Sequence, residues 1–491
     1  MTFAQRCGLD TPARQEAVER TLRRIRLHDL DLVRVAWCDQ HGQLRSKALR
    51  PHAVAQAFAD GVGMVSTLTL KDTSDRTAFK VFEPGGVSSM PGFECASNLL
   101  LVPDPDSLVV LPWAPRSAWL LGQLWMQDGR AVEFDTRRVL QQALGRLHER
   151  GMDMVCGLEI EFHVYRIQND TLAPGEAAWP GPAPEVSLIH PGYNLLSDAW
   201  FDRCEPVMNI VRDTALGLGL PLRSLEIELG PSQIEAVFDA TTAMKAADNM
   251  VLFRNGVTQA LHRAGYHATF MCRPPFPQIM SSGWHLHQSL VDLNGRPLFM
   301  REQAAPGSTP LQAEHTLSSL GCHYLAGLLS HAQGMAVFCT PTANGYGRFQ
   351  PNALAPQSAL WGRDNRGAML RVVGGAGERA TRIENRLGDP SANPYLYFAS
   401  QIHAGLDGID RGLWPPPATE SPYDPLDTHA PHRLPTSLEA ALQALNDDTA
   451  LIQAFGSGLV YYLVQIKRQE VARRAQAVDT AEFDAREYFS R

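Results

Sequence analysis

A chain of 491 residues, 44% apolar and 20% charged, is long enough for two or more domains. Its net charge of −8 provides no basic excess for nucleic acid or an anionic membrane surface, so neither is a predicted partner. The eight cysteines are scattered without a Cys-x-x-Cys pair, which argues against a zinc ribbon or a disulfide framework. No apolar run suits a signal peptide or a membrane span, so we expect a cytoplasmic protein.

The first predicted elements form a small α+β unit over residues 20–115, preceded by an N-terminal extension, residues 1–19. Residues 14–30 have helical apolar spacing with flanking charge, which predicts an amphipathic helix. The segment VRVAWCDQHGQLRSKAL (33–49) predicts two strands around a turn at His41-Gly42. The apolar segments LLLVPD (99–104) and LVVLPW (108–113) close the unit.

Residues 120–491 are predicted to form a second, larger domain. A helix near Phe134–Arg150 precedes the predicted strand GLEIEFHVY (157–165). Residues 169–191 are rich in Pro, Gly and Ala and are predicted to be a surface loop. Two helices are predicted near the end of the sequence, one from a Ser437 cap over SLEAALQALNDD and one over LVYYLVQIKRQEVARRAQ (459–476).

The strand 157–165 carries two carboxylates that alternate with apolar residues. Because alternate side chains of a strand share a face, Glu159 and Glu161 point together while Leu158, Ile160 and Phe162 point into a core. Two carboxylates held side by side repel each other unless a cation joins them. An exposed strand face would give the same pattern, so this motif alone is not specific.

Further segments carry polar side chains in patterns that are modest singly. ELGPSQIE (228–235) ends a strand in a Gly-Pro turn, and SSGWHLHQSL (281–290) places His285, His287 and Ser289 on one strand face. Solvated acids and hydrogen-bonded core histidines are the alternatives. Several arginines suit polyphosphate and carboxylate, because the guanidinium fork binds oxyanions in a bidentate way. These arginines are Arg348, Arg366, Arg371, Arg382 and Arg386.

In their order along nearly the whole chain, these segments resemble the glutamine synthetase family. The motifs are GLEIEF, ELGPSQIE, SSGWHLHQSL, GYGRF (345–349), DNRGAMLR (364–371) and RIENRLGDPSANPYL (382–396), and VRVAWCDQHGQLRSKAL is similar to that family's β-grasp domain. The resemblance implies an α+β fold, with an N-terminal β-grasp domain and a catalytic domain on a curved, mainly antiparallel sheet flanked by helices. It also implies a carbon–nitrogen ligase, closest in pattern to the γ-glutamylamide ligases.

The resemblance further implies ATP as co-substrate and two or three Mg²⁺ or Mn²⁺ ions per site. The implied metal ligands form two sets: Glu161, Glu228 and Glu235 for one ion, and Glu159, His285 and Glu384 for the other. Oxygen-rich ligation with one imidazole suits these ions rather than structural zinc. The implied ATP-binding residues are His287, Ser289, Arg366, Arg371 and Arg382. The implied catalytic arginines are Arg348 beside the transferring phosphoryl group, Arg366, and Arg386 on the carboxylate of the acid substrate.

Two departures from the family pattern bear on the amine. Members that use ammonia carry a glutamate six residues after the arginine matched by Arg348, and an aspartate in an Asp-Gly-Ser-Ser motif; this chain has Leu354 and GMVS (63–66) at those places. An anionic pocket favours a cation and can take its proton. A pocket walled by Met64, Val65 and Leu354 would favour an apolar alkyl- or arylamine, so we predict a γ-glutamylamide synthetase for an organic amine.

The same motifs also allow other functional interpretations. A polyamine ligase would need a carboxylate to bind a second ammonium group. Ordinary glutamine synthetase would need the two acidic residues that are missing here. A non-catalytic structural or regulatory homologue would be expected to lose metal ligands. Met280-Ser281 stands where the family has Asn-Gly, while the match at Arg386 favours glutamate as the acid. Tyr423 lies near a tyrosine that some bacterial members modify, but an ordinary loop tyrosine is the simpler interpretation. The resemblance implies a homo-oligomer, a dodecamer of two hexameric rings with inter-subunit active sites.

Overall fold

The computed structural model of the chain describes residues 1–350, 353–424 and 433–490. Its first six strands are β1 (Leu32–Cys38), β2 (Leu44–Leu49), β3 (Val62–Val65), β4 (Asn98–Pro103), β5 (Val109–Val110) and β6 (Ser117–Met126). The later strands are β7 (Met152–Asn169), β8 (Glu185–Leu188), β9 (Leu222–Ile227), β10 (Gln233–Thr242), β11 (Tyr266–Thr269), β12 (Trp284–Asp292), β13 (Trp361–Arg363), β14 (Leu370–Val373) and β15 (Arg382–Gly388).

The α-helices of the described ranges complete the element order. The first seven are α1 (Phe3–Arg6), α2 (Pro12–Leu27), α3 (Pro51–Asp60), α4 (Thr136–His148), α5 (Asp198–Arg203), α6 (Glu205–Gly217) and α7 (Ala243–Arg263). The others are α8 (Ser319–Ser330), α9 (Ala332–Cys339), α10 (Pro394–Asp410), α11 (Leu438–Asp447), α12 (Thr449–Phe455), α13 (Ser457–Ala475) and α14 (Thr480–Tyr488).

The N-terminal sheet has the strand order β2-β1-β6-β4-β3, with β5 beside β6. β1 and β2 form the predicted hairpin, with Trp37 opposite Arg45. Gly42 in its turn takes a φ of +79°, which glycine adopts without steric cost. β6 runs to Met126, so this sheet continues past residue 115, and α2 crosses residue 19. The division into domains stays a prediction.

The second sheet has the order β13-β14-β15-β12-β7-β10-β9, with β8 and β11 also paired to β7. β13 and β14 are parallel, whereas the pairs around β7 are antiparallel. β8 lies within residues 169–191, so the expectation of a loop over that whole stretch is wrong there. The strand is four residues long in a Pro- and Gly-rich context, and pairing with the far end of β7 fixes it. The two sheets and their helices confirm the α+β class.

Helices cover one face of the second sheet. Phe162 of β7 meets Phe253 of α7 edge to face, with 5.8 Å between ring centroids. α10 packs against α4, α7 and α8. Fully burying one such apolar side chain contributes roughly 1.5–3 kcal/mol, so this face forms the core. The opposite face of the sheet is left to polar side chains.

The predicted C-terminal helices are confirmed as α11 and α13. Ser437 caps α11, because its Oγ accepts a hydrogen bond from the Ala440 N–H at 3.1 Å. No single helix within the described ranges is long and apolar enough to cross a membrane. Only α12 and α13 taken together reach that length and composition, and they are bent by 106° relative to each other.

His331 links the junction of α8 and α9 to α10 and to the start of α12 through its imidazole ring. It lies between α8 and α9, with Nδ1 2.7 Å from Oδ2 of Asp448 and Nε2 2.8 Å from Oδ2 of Asp407 on α10. Burial alone would lower the pKa of His331, but the hydrogen bonds with Asp448 and Asp407 outweigh burial and raise the pKa above its usual value. His331 is therefore stabilised as the imidazolium.

This charge makes stability depend on pH. Because the pKa of His331 is higher in the folded chain than its unfolded value of about 6.5, the stabilisation is fully present below that pH and is lost as the pH rises through the folded pKa. We expect His331→Gln to lower the free energy of unfolding by about 1–3 kcal/mol at pH 6. Differential scanning fluorimetry from pH 5.5 to 9 should also show a flatter pH dependence of the melting temperature.

His148 offers the matched control. Its side chain is 52% exposed, and its Nε2 lies 3.4 Å from Oδ1 of Asp153, so solvent screens the pair. His148→Gln should leave both the melting temperature and its pH slope unchanged. A His331→Gln protein with the wild-type slope would contradict this assignment of the charge.

Candidate active site

The candidate metal ligands begin on β7. Leu158, Ile160 and Phe162 are buried against the helices, as the alternation predicted. Glu159 and Glu161 lie on the other face of the sheet, because successive strand residues point to opposite sides. The central strand β7 therefore carries two carboxylates on one face, while its other face packs in the apolar core.

Strand register brings the other candidates onto the same face. Glu235 of β10 lies opposite Glu161. His285 of β12 lies opposite Glu159. Glu384 of β15 lies opposite His287 of β12. Four neighbouring strands thus contribute to one polar surface.

Within that surface the ligand atoms form two groups, each with its atoms within 4.8 Å of one another. The groups are Glu159, His285 and Glu384, and Glu161, Glu235 and His285. The first group is the complete set predicted for one ion. The second contains His285 where Glu228 was predicted. Glu228 lies just after β9, and its negative charge adds to burial in raising the pKa of Glu161.

The electrostatics of these groups fit a divalent cation. Burial and the neighbouring carboxylates raise the pKa of Glu235 to about 10 and that of Glu161 to about 7. Burial and the charge of Arg386 lower the pKa of His285 to about 4, so its ring is neutral, as a metal ligand must be. Oxygen-rich donors with one imidazole suit Mg²⁺ or Mn²⁺. A cation is what would allow these carboxylates to ionise together.

His287 is fixed between an arginine and a carboxylate. Nε of Arg382 donates to Nδ1 of His287 at 3.0 Å, so the ring proton belongs on Nε2, which lies 2.8 Å from Oε1 of Glu159. Burial would raise the pKa of Glu159, but the hydrogen bonds with His285 and His287 hold it well below its usual range. Ser289, on the same face, donates to the carbonyl oxygen of Thr381 at 3.3 Å.

The predicted arginines take different positions. Arg371 and Arg386 both pair with Glu384, with Nη1 of Arg371 2.9 Å from its Oε2. Arg348 is buried, and its Nη1 donates to the carbonyl oxygens of Arg386 at 3.0 Å and Gly388 at 3.1 Å. Arg366 is exposed in the turn after β13. Their roles in binding ATP and the acid substrate stay predictions.

Gln233 holds Glu161 in place, a role that the sequence pattern alone does not indicate. Its Nε2 lies 3.3 Å from Oε2 of Glu161 and donates at 3.0 Å to Oγ of Ser282, which contacts Nδ1 of buried His163 at 3.2 Å. Its Oε1 accepts from the Gly230 N–H at 2.8 Å. Gln233 stands inside ELGPSQIE, but a buried amide is recognised only when its partners are known.

Gly283 is the second residue to which no role was assigned. Its N–H donates to Oε2 of Glu161 at 2.7 Å. A Cβ at this position would lie 2.4 Å from Nη2 of Arg348 and 3.1 Å from Nε2 of His285. The missing side chain therefore lets Arg348 approach the carboxylate face.

The three residues predicted for the amine pocket differ in exposure. Met64 is 3% exposed and packs in the core of the N-terminal sheet, and its role toward the amine stays a prediction. Strand alternation places its neighbour Val65, 39% exposed, on the outer face. Leu354 is 54% exposed. The roles of Val65 and Leu354 toward the amine stay predictions.

Comparison with known proteins agrees with this geometry. Residues 133–486 match the family model described as glutamine synthetase, catalytic domain. A γ-glutamylanilide synthase from Acinetobacter sp is 36% identical, over 100% of this chain and 99% of that protein. A glutamate–isopropylamine ligase from Pseudomonas sp is 28% identical, over 93% and 95%. A solved structure described as a GmaS/ADP complex has a TM-score of 0.75 at 25% identity, covering 94% of this chain and 97% of that one.

The mainly antiparallel sheet, its carboxylate face and these matches define a carbon–nitrogen ligase. The chain belongs to the glutamine synthetase family, as its ordered motifs predicted.

Removing one ligand tests the metal assignment. We expect Glu235→Gln to weaken Mn²⁺ binding at least about tenfold, because changing even an indirect partner of a metal site costs that much. Isothermal titration calorimetry measures it. Glu226→Gln is the control: Glu226 lies opposite Glu235 on β9 and loses the same charge, but it belongs to neither ligand group. Equal weakening by the two variants would contradict the assignment.

Gly283→Ala tests the fit against Arg348. The new Cβ would push the guanidinium aside, and a displacement of about 1 Å can cost on the order of 100-fold in rate. We expect kcat/KM to fall by about that factor while the melting temperature changes little. Gly157→Ala is the control on the same sheet face, since its Cβ would meet nothing nearer than Cβ of His287 at 3.6 Å. Full activity of Gly283→Ala would argue against a fixed Arg348.

Proposed function

We propose that this protein is an ATP-dependent ligase that joins the γ-carboxylate of glutamate to an organic amine. The reaction runs through γ-glutamyl phosphate and releases ADP and phosphate. The carboxylate and imidazole groups on β7, β10, β12 and β15, with Arg348 and Arg386 beside them, are the observation that carries this proposal. The names of the relatives from Acinetobacter sp and Pseudomonas sp support it.

Phosphoryl transfer depends on alignment and charge neutralisation, which set the roles proposed here. Mg²⁺ or Mn²⁺, two or three per site, would be held by Glu159, Glu161, Glu228, Glu235, His285 and Glu384. Bound there, the ions would neutralise phosphate oxygens.

Arg348 is suited to the transferring phosphoryl group because its guanidinium is already fixed. Nη1 is engaged by two carbonyl oxygens, and Nη2 lies beside Gly283, on the side of His285. A fixed donor needs little reorganisation when charge develops on an oxyanion. Arg386 would pair with the carboxylate of glutamate, while His287, Ser289 and Arg382 would bind the nucleotide, with Arg366 and Arg371 near its phosphates.

The absence of a carboxylate at the proposed amine position favours a neutral amine. Leu354 supplies no carboxylate where ammonia-using relatives of the family pattern have one, so no anion there would hold ammonium or take its proton. An arylamine is already neutral at physiological pH and carries apolar surface that Val65 and Leu354 could cover. An apolar alkyl- or arylamine is therefore the proposed co-substrate; ammonia and polyamines are the rival amines.

The proposed assembly is a homododecamer of two hexameric rings with sites between subunits. Exposed Val65 on the N-terminal sheet is consistent with a surface that meets a neighbouring subunit. A molecular mass near twelve chains in light scattering would support this arrangement.

The amine is tested with a panel. Phosphate release is measured with ATP, Mg²⁺ and glutamate plus aniline, isopropylamine, putrescine or ammonia, and mass spectrometry identifies the γ-linked amide. We expect aniline or isopropylamine to have the highest kcat/KM, ammonia to be at least about tenfold lower, and no amide to form without glutamate. Best turnover with ammonia would reject the organic amine, and best turnover with putrescine would favour the polyamine ligase.

Leu354→Glu sharpens that test. The new carboxylate should raise the ratio of ammonia to aniline turnover about tenfold, corresponding to a free-energy change of about 1.4 kcal/mol. Leu354→Met is the control, because it meets the same backbone φ of +51° without adding charge. Identical amine ratios in the two variants would place Leu354 outside the amine pocket.

A further inference from the structure

Tyr423 packs against a turn of the candidate site. A Cβ on Gly367, inside DNRGAMLR, would lie 3.0 Å from Cε2 and 3.2 Å from Cζ of Tyr423, and 2.7 Å from Cγ of Pro422. Only a glycine leaves room for the ring at this distance. The phenol ring of Tyr423 therefore packs on the same turn that carries Arg366.

The hydroxyl end of Tyr423 is turned inward rather than toward solvent. Its Oη has no solvent access, and the main chain of Leu354 lies beside it. Burial raises the pKa of Tyr423, against the charges of Arg386 and Arg348, which act to lower it. The ring thus lies within electrostatic reach of both arginines. An enclosed hydroxyl is also a poor target for covalent modification, so a nucleotidylated Tyr423 does not fit this conformation.

The ring packs on the turn at Gly367 and lies beside the main chain of Leu354, and the charges of the two arginines assigned to the acid substrate and the phosphoryl group act on its hydroxyl. We propose that Tyr423 determines amine specificity by forming an aromatic wall of the amine pocket, favouring a flat, uncharged arylamine over an alkylamine or ammonium. This inference rests on the proposed ligase function and extends it to the class of amine.

The physical reason is a balance of two interactions. Aromatic rings attract one another in stacked or edge-to-face arrangements beyond the effect of buried area. A cation is also attracted to an aromatic face, but the positive charges of Arg348 and Arg386 oppose it here. Neutral aniline keeps the first interaction and avoids the repulsion.

Two variants separate the ring from its hydroxyl. With Tyr423→Leu, kcat/KM for aniline should fall about tenfold, while that for isopropylamine and the KM values for ATP and glutamate change less than about threefold. With Tyr423→Phe, which keeps the ring, aniline should stay within about twofold of wild type. Tyr461→Leu on α13, an exposed tyrosine, controls for general loss of an aromatic side chain.

Equal loss for aniline and isopropylamine, or no loss for either, would overturn the inference and leave the ligase function intact. Failure of the wild type to make any amide would instead overturn the ligase function. Calorimetric binding of aniline to the ADP-bound protein is a readout that needs no turnover. Tyr423→Leu should weaken that binding about tenfold, and unchanged binding would overturn the role of the ring.

Discussion

Repulsion among carboxylates is the constraint on which the polar face of the second sheet depends. Glu159, Glu161, Glu235 and Glu384 lie on adjacent strands, and burying like charges side by side is costly unless they are compensated. The folded chain compensates them unequally. Histidines hold Glu159 ionised, and Arg371 and Arg386 pair with Glu384. Burial and their carboxylate neighbours together raise the pKa values of Glu161 and Glu235. A cation would therefore relieve the most repulsion between carboxylates at Glu161 and Glu235.

A second constraint ties the N-terminal sheet to the strand that carries Glu384. Arg254 of α7 is 1% exposed and donates to the carbonyl oxygens of Gly42 at 2.8 Å, Pro390 at 2.7 Å and Ala392 at 3.0 Å. Burying a guanidinium is costly unless its N–H groups find such acceptors, and both Nη atoms of Arg254 do. A Cβ on Gly42 would lie 2.1 Å from Nη2 of Arg254, so the hairpin turn and the segment after β15 are fitted to each other. Arg254 therefore links the hairpin turn to the segment that directly follows β15.

Prediction from the sequence succeeds where one short rule suffices. Period-two alternation places Glu159 and Glu161 on one face, and a Gly-containing turn between apolar runs gives the first hairpin. Chain order of motifs gives the family. Such local rules fail for contacts between residues that are distant in the sequence. Which histidine of β12 lies opposite which carboxylate depends on strand register, and the role of Gln233 depends on its contacts with Glu161 and Ser282. β3 shows a further limit, because the sequence of a four-residue strand does not reveal that Met64 is on the buried face and Val65 on the exposed one.

The proposed amine residues lie apart from the charge cluster of the sheet. The charge cluster lies on strands whose register is fixed from both sides, so a small shift there would disturb every ligand at once. Leu354 and Tyr423 lie in segments outside those strands, where substitutions leave the register intact. With Leu354 and Tyr423 in their proposed roles, selection of the amine could change by one side chain at a time while the carboxylates and arginines of the sheet stay in place. A neutral nucleophile makes this separation easier, because it places no new charge beside Arg348 and Arg386 and so leaves the balance on the sheet face undisturbed.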